Sequence, residues 1–386
     1  MCQSASLSRR TLLKAAGVVT IGSSLAAALA RTPGIVRARD LQPQDYATRM
    51  APLIATEQVS LEPVDAADVT ILVDNAIDIL AADTGVATRQ PLAYEWSQQR
   101  HQLRSEHGYS LVLTVQRNAQ SDTILYDAGL GRDTAVNNMD LLGIKPSDFR
   151  TMVLSHGHAD HHTGLEGLFG RVGRRGMPLV LHPDAWRERK ITFPSGVEIH
   201  MPPPSHQDLD REGWQVVEER APSLLLDGTV LVTGQVDRVT DFEKGFPIQT
   251  ARSADGGWEP DPWIWDDQAV VVNVRDRGLV VLSGCSHAGA VNVLRYAQAL
   301  TGEQKVHAFV GGMHLTGGLF EPIIPRTIAE LVAIGPDVVV PGHCTGWRAA
   351  NLLVTTLPQA YVQSNVGTRL HFAAPDTAAS APSEAT

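Results

Sequence analysis

The stretch Ser155-His156-Gly157-His158-Ala159-Asp160-His161-His162 places four strong metal-ligand side chains, His156, His158, Asp160 and His161, within six residues. It follows directly on an apolar run, 149–154, that reads as a strand. On a helix, residues two apart point away from each other, which excludes a helical ligand pair. On a turn leaving a strand, residues i and i+2 share a side. His156 and His158 can then grip one ion while Asp160 and His161 reach a neighbouring one. Gly157 and Gly164 permit the tight path. A surface histidine tract would carry neither the preceding strand nor the intervening aspartate. Two cations held side by side lower the pKa of a shared water toward neutrality and stabilise an oxyanion, which is the chemistry of metal-assisted hydrolysis.

The elements that must carry this cluster follow from composition and pattern. The chain has 386 residues, 43% hydrophobic and 19% charged, which suits a folded core and excludes overall disorder. Three cysteines cannot make a disulfide framework. With 32 Lys and Arg against 42 Asp and Glu, a formal charge of −10, the chain lacks the basic footprint of a nucleic-acid binder. Compact β-branched or apolar runs predict strands at 69–73, 110–115, 123–126, 149–154, 178–181, 229–232, 269–273, 279–282, 306–310 and 338–340. Helical spacing predicts helices over 290–300 and 327–333. The early strands read as hairpins and the later ones alternate with helices, which points to an α/β (α+β) fold of two mixed sheets packed face to face with helices outside.

The two ends read differently. Arg9-Arg10 precedes a short apolar, small-residue run from Ala15 to Ala30, closing on Ala28-Leu29-Ala30. This resembles a twin-arginine export signal, cleaved near Ala30, with a short membrane anchor as the alternative. The expected partner is the twin-arginine translocation machinery, and the expected location is the periplasm or the exterior. Cleavage removes Cys2 and leaves Cys285 and Cys344, whose pairing the sequence does not decide. Residues 31–65 read as an extended lead-in, 66–372 as the domain, and 373–386 as a disordered tail. Trp258, Trp263 and Trp265 read either as a lid over a flat substrate or as a loop pinned to the body.

The motif His156-x-His158-x-Asp160-His161 resembles the signature of the metallo-β-lactamase fold. That resemblance implies an αββα sandwich with the metal site at one edge, where loops from both halves meet. Further motifs are His107-Gly108-Tyr109-Ser110-Leu111, Leu125-Tyr126-Asp127-Ala128-Gly129, Ser283-Gly284-Cys285-Ser286-His287-Ala288-Gly289, Gly311-Gly312-Met313-His314-Leu315 and Pro341-Gly342-His343-Cys344-Thr345-Gly346. They are similar, in the same order over 66–372, to those of the hydrolase branch resembling 7,8-dihydropterin-6-ylmethyl-4-(ribofuranosyl)aminobenzene 5′-phosphate synthase.

The resemblance implies two divalent ions, zinc first with iron or manganese as alternatives. His343 matches the late histidine that completes the second metal. The third nitrogen of the first metal has no counterpart in the stretch 216–226, which holds no histidine, and His287 is the expected substitute. Cys285 falls where the superfamily has a bridging aspartate, and both a thiolate ligand and a packed small residue remain open for it. Asp127 is expected to hydrogen-bond a ligand histidine and fix its tautomer. His314 is read as lining the pocket, and His182 as a substrate contact or a turn histidine bonded to backbone. Asp160 is the expected catalytic residue, orienting the attacking hydroxide and passing its proton on. The function implied is an exported binuclear metal-dependent hydrolase of an ester, phosphodiester, lactone or amide. The alternatives are a periplasmic metal-binding protein without turnover and a synthase-like enzyme. A di-iron oxidoreductase would need Glu at 158 and a flavin domain, and the chain has neither.

Overall fold

The computed structural model describes residues 58–90, 102–172 and 176–375. The stretch expected to be an export signal, most of the expected lead-in and nearly all of the expected tail lie outside the described residues. In chain order the strands are β1 Ala66–Val73, β2 Ala87–Thr88, β3 Ser110–Arg117, β4 Gln120–Tyr126, β5 Phe149–Val153 and β6 Pro178–Leu181. They continue with β7 Arg189–Thr192, β8 Glu198–Met201, β9 Gln215–Glu218, β10 Ser223–Leu225, β11 Val230–Val232 and β12 Gln249–Arg252. The last six are β13 Trp258–Pro260, β14 Ala269–Val274, β15 Gly278–Ser283, β16 Val306–Gly311, β17 Val338–Pro341 and β18 Arg369–Ala373. The α-helices are α1 Thr134–Leu142, α2 Ala159–His162, α3 Leu165–Leu168, α4 His206–Glu212, α5 Ala290–Thr301, α6 Ile324–Ile334 and α7 Gly346–Thr356.

Two large sheets carry the fold. One has eight strands in the order β2-β18-β1-β3-β4-β5-β6-β9, the other six in the order β10-β11-β14-β15-β16-β17. The period of two in each strand sorts the side chains into layers. In β14 and β15, Val270, Val272, Val280 and Leu282 face the other sheet, where they meet Ile71, Leu111, Leu113, Ile124 and Tyr126. Val271, Val281 and Leu279 face outward and are covered by Val293, Leu294 and Ala297 of α5, Ile328 and Leu331 of α6, and Leu353 of α7. The outer face of the eight-stranded sheet is covered in the same way by Ala135, Val136 and Met139 of α1 and Leu165 and Leu168 of α3. Strands buried on both faces read as unbroken apolar runs, which is why they were legible in the sequence. The result is the αββα sandwich.

A third sheet of four strands, β13-β12-β7-β8, stands outside the two expected ones. Its strands, such as Arg-Lys-Ile-Thr and Glu-Ile-His-Met, are short and mostly half-buried or exposed, so they carry no apolar signature. Helices α1, α4 and α7 were likewise missed; α7 buries only Ala349 and Leu353 of its 11 residues. The end of the lead-in is not free chain: Val64 is fully buried and bridges to Val274. Trp263 and Trp265 are buried, 6.0 Å apart between ring centroids, with the Arg238 guanidinium over both. They pin their segment to the body. Trp258 lies in β13 under Arg252 and Lys190. No helix among the described residues is long and apolar enough to cross a membrane.

The strands that end at the candidate ligands run parallel. β4 pairs parallel with β5, and β15, β16 and β17 pair parallel in sequence. Their C-terminal ends therefore open on one edge of the sandwich. There the two sheets are stitched together: Tyr126 Oη donates to Gln268 O at 2.8 Å and accepts from Gly284 N at 3.0 Å, while Gln268 Nε2 donates to Leu154 O at 2.8 Å.

The small sheet is fastened to the same edge by Arg189, which is fully buried. Its Nε donates to Asp261 Oδ2 at 2.9 Å and its Nη1 to Asp266 Oδ2 at 3.1 Å, and Asp266 Oδ2 also accepts from Gly157 N at 2.7 Å. Removing one member of a buried charge network leaves its partners uncompensated. Arg189→Met is therefore expected to destabilise the chain by about 3–5 kcal/mol in urea unfolding. A loss below about 1 kcal/mol would mean that the network does not anchor this sheet.

Candidate metal centre

The turn after β5 delivers His156 and His158, and α2 delivers Asp160 and His161. Gly157 is required at its place because a Cβ there would lie 2.3 Å from Ala185 O. His287 arrives from the loop after β15 and His343 from the loop after β17. His156, His158, His161, His287 and His343 are all buried.

The side chains form two groups. In the first, His287 Nε2 lies 3.1 Å from His156 Nε2 and 3.2 Å from His158 Nδ1. In the second, Asp160 Oδ2 lies 3.2 Å from His343 Nε2 and 3.8 Å from His161 Nε2. Cys285 Sγ, 3.2 Å from His161 Nε2, stands between the groups. It is within 4.8 Å of the ligating atoms of both His156 with His287 and His161 with His343. The structure thus brings His287 beside His156 and His158.

The outer hydrogen bonds fix which nitrogen of each ring faces inward. Asp127 Oδ2 accepts from His161 Nδ1 at 2.6 Å and from Ser155 Oγ at 2.7 Å. Ser155 Oγ, having donated its proton, accepts from His156 Nδ1 at 2.9 Å. Gln249 Oε1 accepts from His158 Nε2 at 2.7 Å. Each outer nitrogen therefore carries the proton, and His156 Nε2 and His158 Nδ1 present lone pairs to the interior, toward which His161 also turns its Nε2. Lone pairs converging among buried side chains repel unless a proton or a cation lies between them. That donor set, imidazoles on one side and imidazoles with a carboxylate on the other, fits divalent cations.

Electrostatics set the first group apart from His161. Burial pushes the His158 imidazole down to about 3, and burial also takes His156 and His287 well below the usual range, so these rings stay neutral. Burial acts against the charged form of His161 too, but the Asp160 and Asp127 carboxylates outweigh it and raise this ring to about 9. Burial pushes Asp160 up, but His161 and His343 prevail and hold its carboxyl well below the usual carboxylate range.

Other sequence-stated residues fall into place around this centre. Asp127, with φ +59°, sits in the turn after β4 and contacts His161 directly. His314 packs against His287 with ring centroids 4.2 Å apart and lines the cleft with Phe320 and Met313. His182 is buried, and its Nδ1 accepts from Asp184 N at 3.1 Å, so it caps a turn. Cys285 and Cys344 are both buried and free. His107, on the rim, stacks on His343 at 5.0 Å and lies 3.6 Å from Asp160.

Two supporting residues went unnoticed in the sequence. Asp74 Oδ1 accepts from His343 N at 2.8 Å and holds that residue at φ +49°. Its signal was available, since it follows a strand just as Asp127 does. Gln249 gave no signal: it lies in a four-residue strand of the small sheet, 91 residues from His158. Beside the cleft, a cavity of about 250 Å³ is lined by Phe193, Phe246, Ile248, Leu319 and Phe320.

Comparison with known proteins gives the same picture. The family described as the Metallo-beta-lactamase superfamily matches residues 107–343. A 7,8-dihydropterin-6-methyl-4-(beta-D-ribofuranosyl)-aminobenzene-5'-phosphate synthase of Methanocaldococcus jannaschii is 28% identical over 274 residues, covering 69% of this chain and 90% of that protein. An uncharacterized protein of the same organism is 26% identical over 254 residues, covering 64% of this chain and 88% of that one. A crystal structure described as a metal-dependent hydrolase of the beta-lactamase superfamily superposes with a TM-score of 0.60 at 23% identity, covering 80% of this chain and 100% of that chain. This last likeness concerns the fold.

The histidine environments set a pH dependence for the metal-free chain. His156, His158 and His287 have lowered values when folded, so the unfolded chain binds more protons below about pH 6.5 and stability falls as pH falls from there. His161 has the opposite sign: its contribution is present below about 6.5 and is lost as pH rises through about 9. Thermal melts of chelator-treated protein are therefore expected to be highest near pH 6.5, each group contributing at most about 1.4 kcal/mol per pH unit. A melting temperature that climbs on acidification below that point contradicts the assignment of neutral, buried rings.

Proposed function

The chain belongs to the metallo-beta-lactamase superfamily, and on that premise we propose that it is an exported hydrolase working with two divalent metal ions. The observation that carries this reading is the pair of adjoining donor groups, His156 with His158 and His287, and Asp160 with His161 and His343. These residues would hold the two ions, zinc first and iron or manganese as alternatives, with Cys285 between them. Ions bound there would supply an activated water near neutral pH and charge stabilisation for a developing oxyanion.

The chain's own residues complete the chemistry. Asp127 and Gln249 lock the His161 and His158 rings so that their free nitrogens need no reorientation. Asp160 is the donor in best contact with solvent: its side chain is 19% exposed against 0% for His161 and His343. It is therefore placed to take a proton from the attacking water and to pass it to a leaving group. Phe246, Phe320 and His314 wall the cleft beside His287 and keep bulk water from that side. The substrate classes that fit are an ester, phosphodiester, lactone or amide. Arg9-Arg10 and the apolar run to Ala30 support export to the periplasm or beyond.

The relative named as a dihydropterin phosphate synthase supports a second reading, condensation on a phosphorylated ribofuranosyl substrate by the same centre. The export signal weighs against it, because such a precursor is made inside the cell.

The metal-loaded chain is expected to turn over at least one member of an ester, lactone and phosphodiester panel, and to lose that activity on chelation. Asp160→Ala is expected to lower kcat by about 10²–10⁴-fold. Metal retained with no turnover in either protein supports a metal carrier instead. Turnover only with a pterin and a phosphoribosyl arene supports the synthase reading. Replacing Arg9-Arg10 by two lysines is expected to retain the full-length chain in the cytoplasm; normal secretion of that variant removes the twin-arginine assignment.

A further inference from the structure

A third donor set adjoins the two groups already described. Cys285 Sγ, Cys344 Sγ and a ring nitrogen of His314 all lie within 4.8 Å of one another. The three residues follow the ends of β15, β17 and β16, neighbouring parallel strands, so sheet register brings them together. Both cysteines are buried and neither is in a disulfide. Among the described residues, both ring nitrogens of His314 are buried without a hydrogen-bond partner. The His314 backbone is held at φ +46°, a conformation a non-glycine residue rarely adopts. Its ring is wedged between His287 and Phe320, with centroids 4.2 Å and 4.4 Å away. An imidazole fixed in this way and facing two sulfurs has nothing else to bond among the described residues. Nor does the hydrolytic scheme use Cys344 or the His314 nitrogens.

We propose that Cys285, His314 and Cys344 form a site for a thiophilic cation, of the zinc or copper(I) class, next to the histidine-rich pair. Two thiolates and one imidazole are a Cys₂His donor set with a fourth position open. Sulfur ligands select soft cations and exclude magnesium and calcium. Binding forms two metal–sulfur bonds and one metal–nitrogen bond, each thiol gives up its proton to water, and no electron is transferred. Cys285 is the shared corner, since its sulfur also approaches His156 with His287 and His161 with His343. The site stands or falls independently of turnover.

The test uses the full chain, stripped of metal under reducing conditions and titrated with Co(II), whose sulfur-to-cobalt charge-transfer absorption counts thiolate ligands. Two thiolates are expected. Cys344→Ser is expected to lower the absorption about twofold, and His314→Ala to weaken cobalt binding there by about tenfold or more. His158→Ala, which disables the histidine-rich group, is expected to leave the Cys344-dependent absorption in place. Cys344→Ala serves if the serine variant misfolds by circular dichroism. The proposal is overturned if the Cys344 variants leave the absorption unchanged. It is also overturned if no thiolate absorption forms, or if thiol counting in denaturant finds Cys285 and Cys344 joined in a disulfide.

Discussion

The structure depends on one constraint: several imidazole nitrogens must be held facing one another among buried side chains. His156 Nε2, His158 Nδ1 and His287 Nε2 approach to about hydrogen-bond distance. Neutral rings in this arrangement gain nothing from each other unless something positive lies between them. The fold therefore has to force the arrangement, and it does so by tying down the far side of each ring. Asp127 accepts a hydrogen bond from His161 Nδ1, Ser155 Oγ from His156 Nδ1, and Gln249 Oε1 from His158 Nε2. These bonds select the tautomer and orient the ring before any cation arrives, which is how surrounding groups tune a metal ligand.

The sandwich supplies the rigidity for this. Parallel strands in both sheets end at the same edge, and each ends in a turn whose residues are packed too closely for a larger side chain at the glycines. Gly284 faces Ser155, and Gly312 faces Cys344, at distances that a Cβ would violate. Asp127, Ser286, His314 and His343 all take positive φ values next to these glycines. Strain of this kind persists where the surroundings over-determine the backbone and gathers at functional sites. Asp74 shows how one such residue is held: a single carboxylate bonds the backbone N–H of His343 and the hydroxyl of Ser364.

The small four-stranded sheet has a function that its sequence hides. It brings Gln249 to His158, and Arg189 to the aspartate that holds the Gly157 turn. It also contributes Phe193 to the apolar cavity beside the cleft, which adjoins the wall of Phe246 and Phe320. A segment without an apolar strand signature thus orients one metal-ligand candidate and shapes the approach to the centre.

The amino-acid sequence by itself determined the sandwich and the ligand loop. Strands such as Ala269–Val274 and Gly278–Ser283 are buried on both faces, so their runs of valine and leucine cannot be mistaken for surface. His156, His158, Asp160 and His161 were legible because one turn carries all four, and local spacing is enough to see them converge. The resemblance named His343 and His287 as distant members, and the tertiary structure set which side chains each of them faces. His287 and Cys285 lie more than a hundred residues from His161, and nothing in their own neighbourhood states which imidazole they face. The same holds for Gln249, Asp74 and Arg189, whose partners are set by how separate strands dock. The roles of Trp263 and Trp265 were open until burial under Arg238 made them packing residues. Contacts between residues close in the chain are written in its local pattern, whereas contacts between distant ones exist only once the sheets have closed on each other.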